Sequence, residues 1–195
     1  DSEKVPRPKI MGFDIEVNST IPSAMPKAER LGDKVFQISC VVCRHGDPPE
    51  KYEKYLLTLG QPDPETVGED VLVHMYETES QLLEGYTQFI CEENPNLIVG
   101  YNILGFDIPY MIDRAKMNMC IFSFDQQGFH KYAHAREKTI RWSSSAYKNQ
   151  EFQFLDAEGR VYVDLLPLVR RDFKFNNYKL KTVTEHFIGE TKDPL

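Results

Sequence analysis

The sequence has one tryptophan, four cysteines and no long apolar run. A membrane-spanning helix needs about 20 consecutive apolar residues, whereas stretches such as Cys40 to Cys43 are only a few residues long. No membrane span is expected. Four cysteines do not make a disulfide framework in a chain long enough to bury a core, and Asp1-Ser2-Glu3-Lys4 does not read as a signal peptide. The expected setting is reducing and intracellular. A glycine-rich phosphate loop, a Ser/His/Asp order and a nucleophile elbow are also missing. What is present suits a single globular domain over residues 1–195: 41% apolar, 27% charged, and 12% aromatic, which excludes disorder.

The formal net charge of −7 argues at first against a nucleic-acid partner, but it is unevenly spread. Residues 1–126 carry 11 Lys and Arg against 21 Asp and Glu, while residues 127–182 carry 11 against 6. A carboxylate-rich part followed by a basic part is what a metal-dependent enzyme acting on a polyanion needs. Solvated faces that differ by chance give the same pattern.

Apolar and β-branched alternation predicts strands over Lys9–Val17, Val35–Cys43 and Tyr52–Leu59, arranged as a meander around the turn at residues 44–49. Gly60–Asp70 is dense in Pro, Gly and acid and reads as a surface loop. Leu82, Leu83, Tyr86, Phe89 and Ile90 recur at three- and four-residue spacing, which predicts a helix over Glu77–Glu93 stopped by Asn94-Pro95-Asn96. Leu97–Tyr101 has the composition of a strand covered on both faces. A helix over Asp107–Met117, with Pro109 in its first turn, follows the sharp entry allowed by Gly105. Ile140–Asp164 suggests a hairpin with Ser143-Ser144-Ser145 at its tip, and Leu180–Phe187 a last helix closed by Gly189. The fold class is α/β, a mixed sheet with helices on its faces.

In Phe13-Asp14-Ile15-Glu16, strand alternation sends Asp14 and Glu16 to one face and the apolar residues to the other. Two like charges on one patch call for an offset, which a divalent cation supplies more fully than a single Lys. Ordinary polar alternation on a half-exposed strand is the plainer explanation. Asp107 follows the end of the covered strand, where ligands gather in open α/β sheets, and it could face Asp14 and Glu16. It also suits a helix cap. Asn102 and Phe106 nearby could hold a polar backbone and an unstacked base.

Phe13 to Glu16 together with Asn102 to Tyr110 resemble the first two exonuclease motifs of family B DNA polymerases. The similarity continues through Asp33–Ile38, Asn94–Asn102, Gly159–Leu166 and Tyr178–Glu190, nearly the whole chain in order, and is strongest toward delta-like and large-DNA-virus polymerases. The resemblance implies a ribonuclease H-like 3′-to-5′ proofreading domain in which Asp14, Glu16 and Asp107 bind two Mg²⁺ or Mn²⁺ ions flanking the scissile phosphate. Ions about 3.5 to 4 Å apart lower the pKa of a bound water and stabilise the leaving oxyanion. The resemblance further implies that Asn102, Phe106 and Tyr110 grip the terminal nucleotides of a single-stranded 3′ primer end. By the same likeness, residues 143–150 belong to a hairpin that helps separate that end from its template. The partners implied are DNA and the remainder of a polymerase chain, in a nucleus or, for a virus, the host cytoplasm. The family's third motif, Tyr-x-x-x-Asp, does not occur: none of the ten tyrosines has Asp four residues on. The expectation is a domain cut short of its last helix and poorly active alone, with a non-catalytic strand-binding or scaffold module as the alternative. Polymerase residues are absent too.

Cys40 and Cys43 point to opposite faces of a strand and have no second pair, so zinc is not expected. The five histidines are scattered. Asp164 is a surrogate fourth ligand only by its acidity, since the resemblance aligns it with a non-catalytic position. Arg170, Arg171, Lys174 and Lys179 form, with Lys181, a basic stretch that is either a set of phosphate contacts or a solvated face.

Overall fold

The structure, a computed structural model, describes residues 6–131, 133–144 and 147–189. Among these residues eight strands and five α-helices run in the order β1 (Lys9–Val17), β2 (Val35–Arg44), β3 (Glu53–Leu59), β4 (Val71–Tyr76), α1 (Glu79–Glu93), β5 (Leu97–Gly100), α2 (Asp107–Met117), α3 (Ile121–Phe124), β6 (Arg136–Ser144), β7 (Tyr147–Asp156), β8 (Val161–Asp164), α4 (Leu165–Asp172) and α5 (Leu180–Phe187).

Six strands form one sheet in the order β4-β3-β2-β1-β5-β8. The meander β1-β2-β3 is antiparallel, and β4, β5 and β8 join it in parallel pairings. This is the mixed α/β sheet with flanking helices that the sequence signals and the ribonuclease H-like resemblance predict. The apolar stripe of α1 packs on one face of the sheet. Leu82, Leu83, Tyr86 and Ile90 are buried with Phe13, Ile15, Ile38 and Leu57, and the rings of Phe13 and Tyr86 lie 5.5 Å apart. Thr78 caps α1 reciprocally with Gln81, and Asn94 ends it in a left-handed conformation at φ 49°. Gly189, with φ 69°, follows α5 as expected.

Three elements differ from the sequence expectation. The hairpin is β6-β7 over 136–156, not 140–164; Val161–Asp164 leaves it and pairs in parallel with Leu97–Gly100 in the main sheet. The break is a turn at Ala157–Arg160, where Arg160 N–H donates to the Ala157 carbonyl and Gly159 adopts φ 80°. A side chain at Gly159 would also meet Phe129 at 2.5 Å. Strand β4 fills residues 71–76, between the expected loop and the expected helix, as a parallel edge strand with Leu72 and Met75 exposed. Helix α4 follows Asp164 directly and admits Pro167 in its first turn, where no intrahelical N–H is lost. Ser145 of the expected hairpin tip and Glu190 lie outside the described residues. Among the described residues no helix is long and apolar enough to cross a membrane.

Candidate active site

Alternation along β1 buries Met11, Phe13 and Ile15 in the core and leaves Asp14 and Glu16 half-buried on the opposite face. Asp14 lies opposite Ser39 of β2. On its other side β1 pairs with β5, and the backbones come close where that strand ends: a side chain at Gly100 would meet Ile103 at 2.2 Å and the Phe13 carbonyl at 3.0 Å.

Asp107 is the first residue of α2, and its side chain turns toward β1 rather than capping its own helix. The Ile15 N–H donates to its Oδ1 at 3.2 Å. With 3% of its surface exposed, its carboxyl is pushed up to about 7, first by burial and next by the charge of Asp14, while the Ile15 N–H pulls the other way. Asp14 and Asp107 therefore sit within electrostatic reach across 93 residues of chain.

Glu16 follows two residues after Asp14 on the same face of β1, just before the strand shifts register between Glu16 and Val17. Among the described residues no group of three or more His, Cys, Asp or Glu arranged to hold a metal ion is found.

The turn that delivers Asp107 is built by its own backbone. Asn102 adopts a left-handed φ of 63°, and its carbonyl accepts from the N–H groups of Gly105 at 3.1 Å and Phe106 at 2.9 Å. A Cβ at Gly105 would stand 2.5 Å from the Asn102 side-chain oxygen, so a larger residue there would make that side chain move. Phe106 is half-buried, its ring 5.4 Å from that of Tyr110. Tyr110 itself is buried, and its hydroxyl donates to the Asp33 carbonyl at 2.8 Å, so it buttresses Phe106 from behind.

Asp164 is the residue whose part the sequence signals hid. Its Oδ1 accepts from Asn102 N–H at 2.8 Å and Leu166 N–H at 3.0 Å, and its Oδ2 accepts from Leu104 N–H at 3.0 Å. Those bonds engage both oxygens, and its charge also adds, behind burial and Asp14, to the upward push on Asp107. The signal that could have found it is an Asp at the end of a β-branched run and just before Leu165-Leu166, the pattern of a helix cap.

Gly12, Asp14, Ser39 and Tyr101 line a groove of about 470 Å³ with Leu165, Leu180 and Thr184 from the α4-α5 side. Arg170, Arg171, Lys174 and Lys179 are exposed around the connection between α4 and α5. Arg170 lies over the Tyr178 ring at 5.6 Å, and Arg171 pairs with Asp172 at 2.7 Å. The Tyr101 hydroxyl ties this connection to the sheet by donating to the Tyr178 carbonyl at 2.6 Å. Cys40 is buried on the core face while Cys43 lies on the other, and His134 meets a single carboxylate, that of Asp125, at 2.6 Å.

Carboxylate oxygens are the donors that Mg²⁺ and Mn²⁺ prefer, so in chemistry the acids of this face fit such an ion. The family model for the exonuclease domain of DNA polymerase family B matches residues 1–183. DNA polymerase 120R of Invertebrate iridescent virus 3 is 54% identical over 195 residues, covering 100% of this chain and 17% of that protein. The putative DNA polymerase 060R of Frog virus 3 is 38% identical over 98% of this chain and 19% of its own length. The DNA polymerase delta catalytic subunit of Glycine max is 36% identical over 95% of this chain and 16% of its own length. The chain thus spans less than a fifth of the length of these relatives. It belongs to the family of exonuclease domains of family B DNA polymerases.

Proposed function

We propose that this domain hydrolyses the terminal phosphodiester at the 3′ end of single-stranded DNA, as the proofreading part of a DNA polymerase. The observation that carries the reading is the meeting of Asp107 with β1. The Ile15 N–H holds its carboxyl, and the Asp14 charge presses on it beside a groove open to a ligand. Exonuclease domains of this family generally depend on divalent metal ions.

Asp14 and Asp107, with Glu16 from the same strand face, would hold two Mg²⁺ or Mn²⁺ ions. Bound there, the ions supply a water of lowered pKa and stabilisation for the leaving 3′ oxygen. Asn102 and Phe106 present a backbone turn and a ring to the last nucleotides, and Tyr110 steadies that ring. Arg170, Arg171, Lys174 and Lys179 offer charge to the phosphates upstream. Mispaired ends reach such a site preferentially because they cost less to unpair.

A strand-holding module that does not cut is the second reading. It draws on the exposed basic residues around the α4-α5 connection, which suit phosphates without any ion. Calorimetric titration of Mg²⁺ or Mn²⁺ into the chain and into Asp14→Ala separates the two. The nuclease reading expects binding that the substitution weakens at least tenfold; identical isotherms would remove Asp14 from any ion site.

A further inference from the structure

The geometry points to Asp164 as a positioning residue for the nuclease site, a carboxylate that latches the turn at residues 102–104 onto the end of β8 and so sets where Phe106 and Asp107 stand. The inference rests on the function proposed above.

Asp164 is 7% exposed and occupies the last rung of the parallel β5-β8 pairing, opposite Gly100. There the chain turns out of β5 toward Asp107. In the turn itself, the Asn102 carbonyl serves Gly105 and Phe106, while the N–H groups of Asn102 and Leu104 point the other way. Those two donors have no strand or helix to join, and a buried N–H without an acceptor is costly. One carboxylate takes both, at 2.8 and 3.0 Å, and charged acceptors make the stronger kind of hydrogen bond.

The same carboxylate takes the Leu166 N–H at 3.0 Å and thereby starts α4, whose first residue, Leu165, lines the groove opposite Asp14. One side chain therefore fastens both the turn that leads to Asp107 and the start of α4. Asparagine is the telling replacement. It keeps size and shape but offers one acceptor oxygen and an NH₂ that would face a backbone N–H. Whichever way the amide turns, at least one of the three donors loses its partner.

The test uses Asp164→Asn in the full polymerase that the proposed function implies, with Asp164→Glu and Asp14→Ala alongside. Single-stranded 3′ digestion at saturating Mg²⁺ is expected to lose 10- to 100-fold in kcat with KM for the oligonucleotide within about twofold, as is typical when a supporting hydrogen bond is removed. Hydrogen exchange in the peptide covering residues 101–106 should speed up at least tenfold while β1 stays protected. Asp164→Glu should recover part of the kcat. Unchanged kcat in Asp164→Asn, or unchanged exchange over 101–106, overturns the positioning role provided Asp14→Ala abolishes digestion. If Asp14→Ala digests normally, the nuclease reading itself has failed and this inference falls with it.

Discussion

Asp33 and Asp107 are both acids with almost no exposed surface, 0% and 3%, and the molecule treats them in opposite ways. Asp33 receives the Thr20 hydroxyl at 2.6 Å, the N–H groups of Thr20 and Lys27, and the guanidinium of Arg30. With the Thr20 hydroxyl foremost, these donors hold its carboxyl well below the usual carboxylate range against the opposing effect of burial. Asp107 has the Ile15 N–H on one side and the charge of Asp14 on the other, and its carboxyl moves up to about 7. Burial alone does not decide the state of an acid; the number of donors aimed at it does. The first arrangement closes a loop, while under the proposed function the second is an acid held in reserve for a bound ion.

The region around Asp33 extends the lesson. Glu79 and Arg114, both nearly fully buried, pair at 2.5 and 2.8 Å, and Arg114 also reaches the carbonyls of Ala28 and Arg30 at 2.8 Å. Glu79 in turn accepts the Val35 N–H at 2.9 Å and the Asn118 amide at 2.9 Å. Every charge there faces a partner, so the network fastens the segment after β1 to α1 and α2.

The largest expected effect falls on the reserved acid. In the full polymerase, Asp107→Asn should reduce 3′ digestion of a single-stranded oligonucleotide by on the order of 10³-fold or more while nucleotide addition is unchanged. Digestion at the wild-type rate would make Asp107 another structural acid like Asp33. In the satisfied region the effect should appear as stability. Glu79→Ala leaves Arg114 buried without its carboxylate and should lower the denaturant-measured unfolding free energy by about 3 to 5 kcal/mol; a loss below about 1 kcal/mol would mean water compensates the guanidinium.

Acid titration sharpens the contrast with the smallest signal. Asp107 holds its proton more tightly folded than unfolded, so its part of the stability is greatest at low pH. That part is lost as pH rises from about 4 through about 7, by roughly 4 kcal/mol at most. Asp33, shifted the other way, contributes stability above the ordinary carboxylate range that is lost as pH falls through it. Melting curves in EDTA from pH 4 to 8 should show a decline for the wild type that flattens in Asp107→Asn. Parallel curves would mean Asp107 is ionised throughout.

How much of this was legible in the sequence follows from how local each cause is. Strand β1, helix α1 and helix α2 declare themselves through side-chain period, and Asp14 and Glu16 share a face for the same reason. β4 is less visible because its partner β3 reaches it across an acidic loop and its apolar residues remain partly exposed. The hairpin boundary lies elsewhere because Val161–Asp164 has a strand's composition and follows β7 after only a short turn, and only pairing with β5 assigns it to the main sheet. Asp164 shows only the pattern of a helix cap, because two of its three hydrogen bonds come from donors about sixty residues away.

The separation of 62 residues between Asn102 and Asp164 gives the domain a sequence in time. During synthesis, Asp14 and Asp107 are both made well before residue 164 emerges, so a growing chain passes through a stage with its acids in hand and the bend that aims one of them unfastened. Only when β8 closes beside β5 do the Asn102 and Leu104 N–H groups gain their acceptor, so under the proposed function the finishing of the sheet and the arming of the site would be one event.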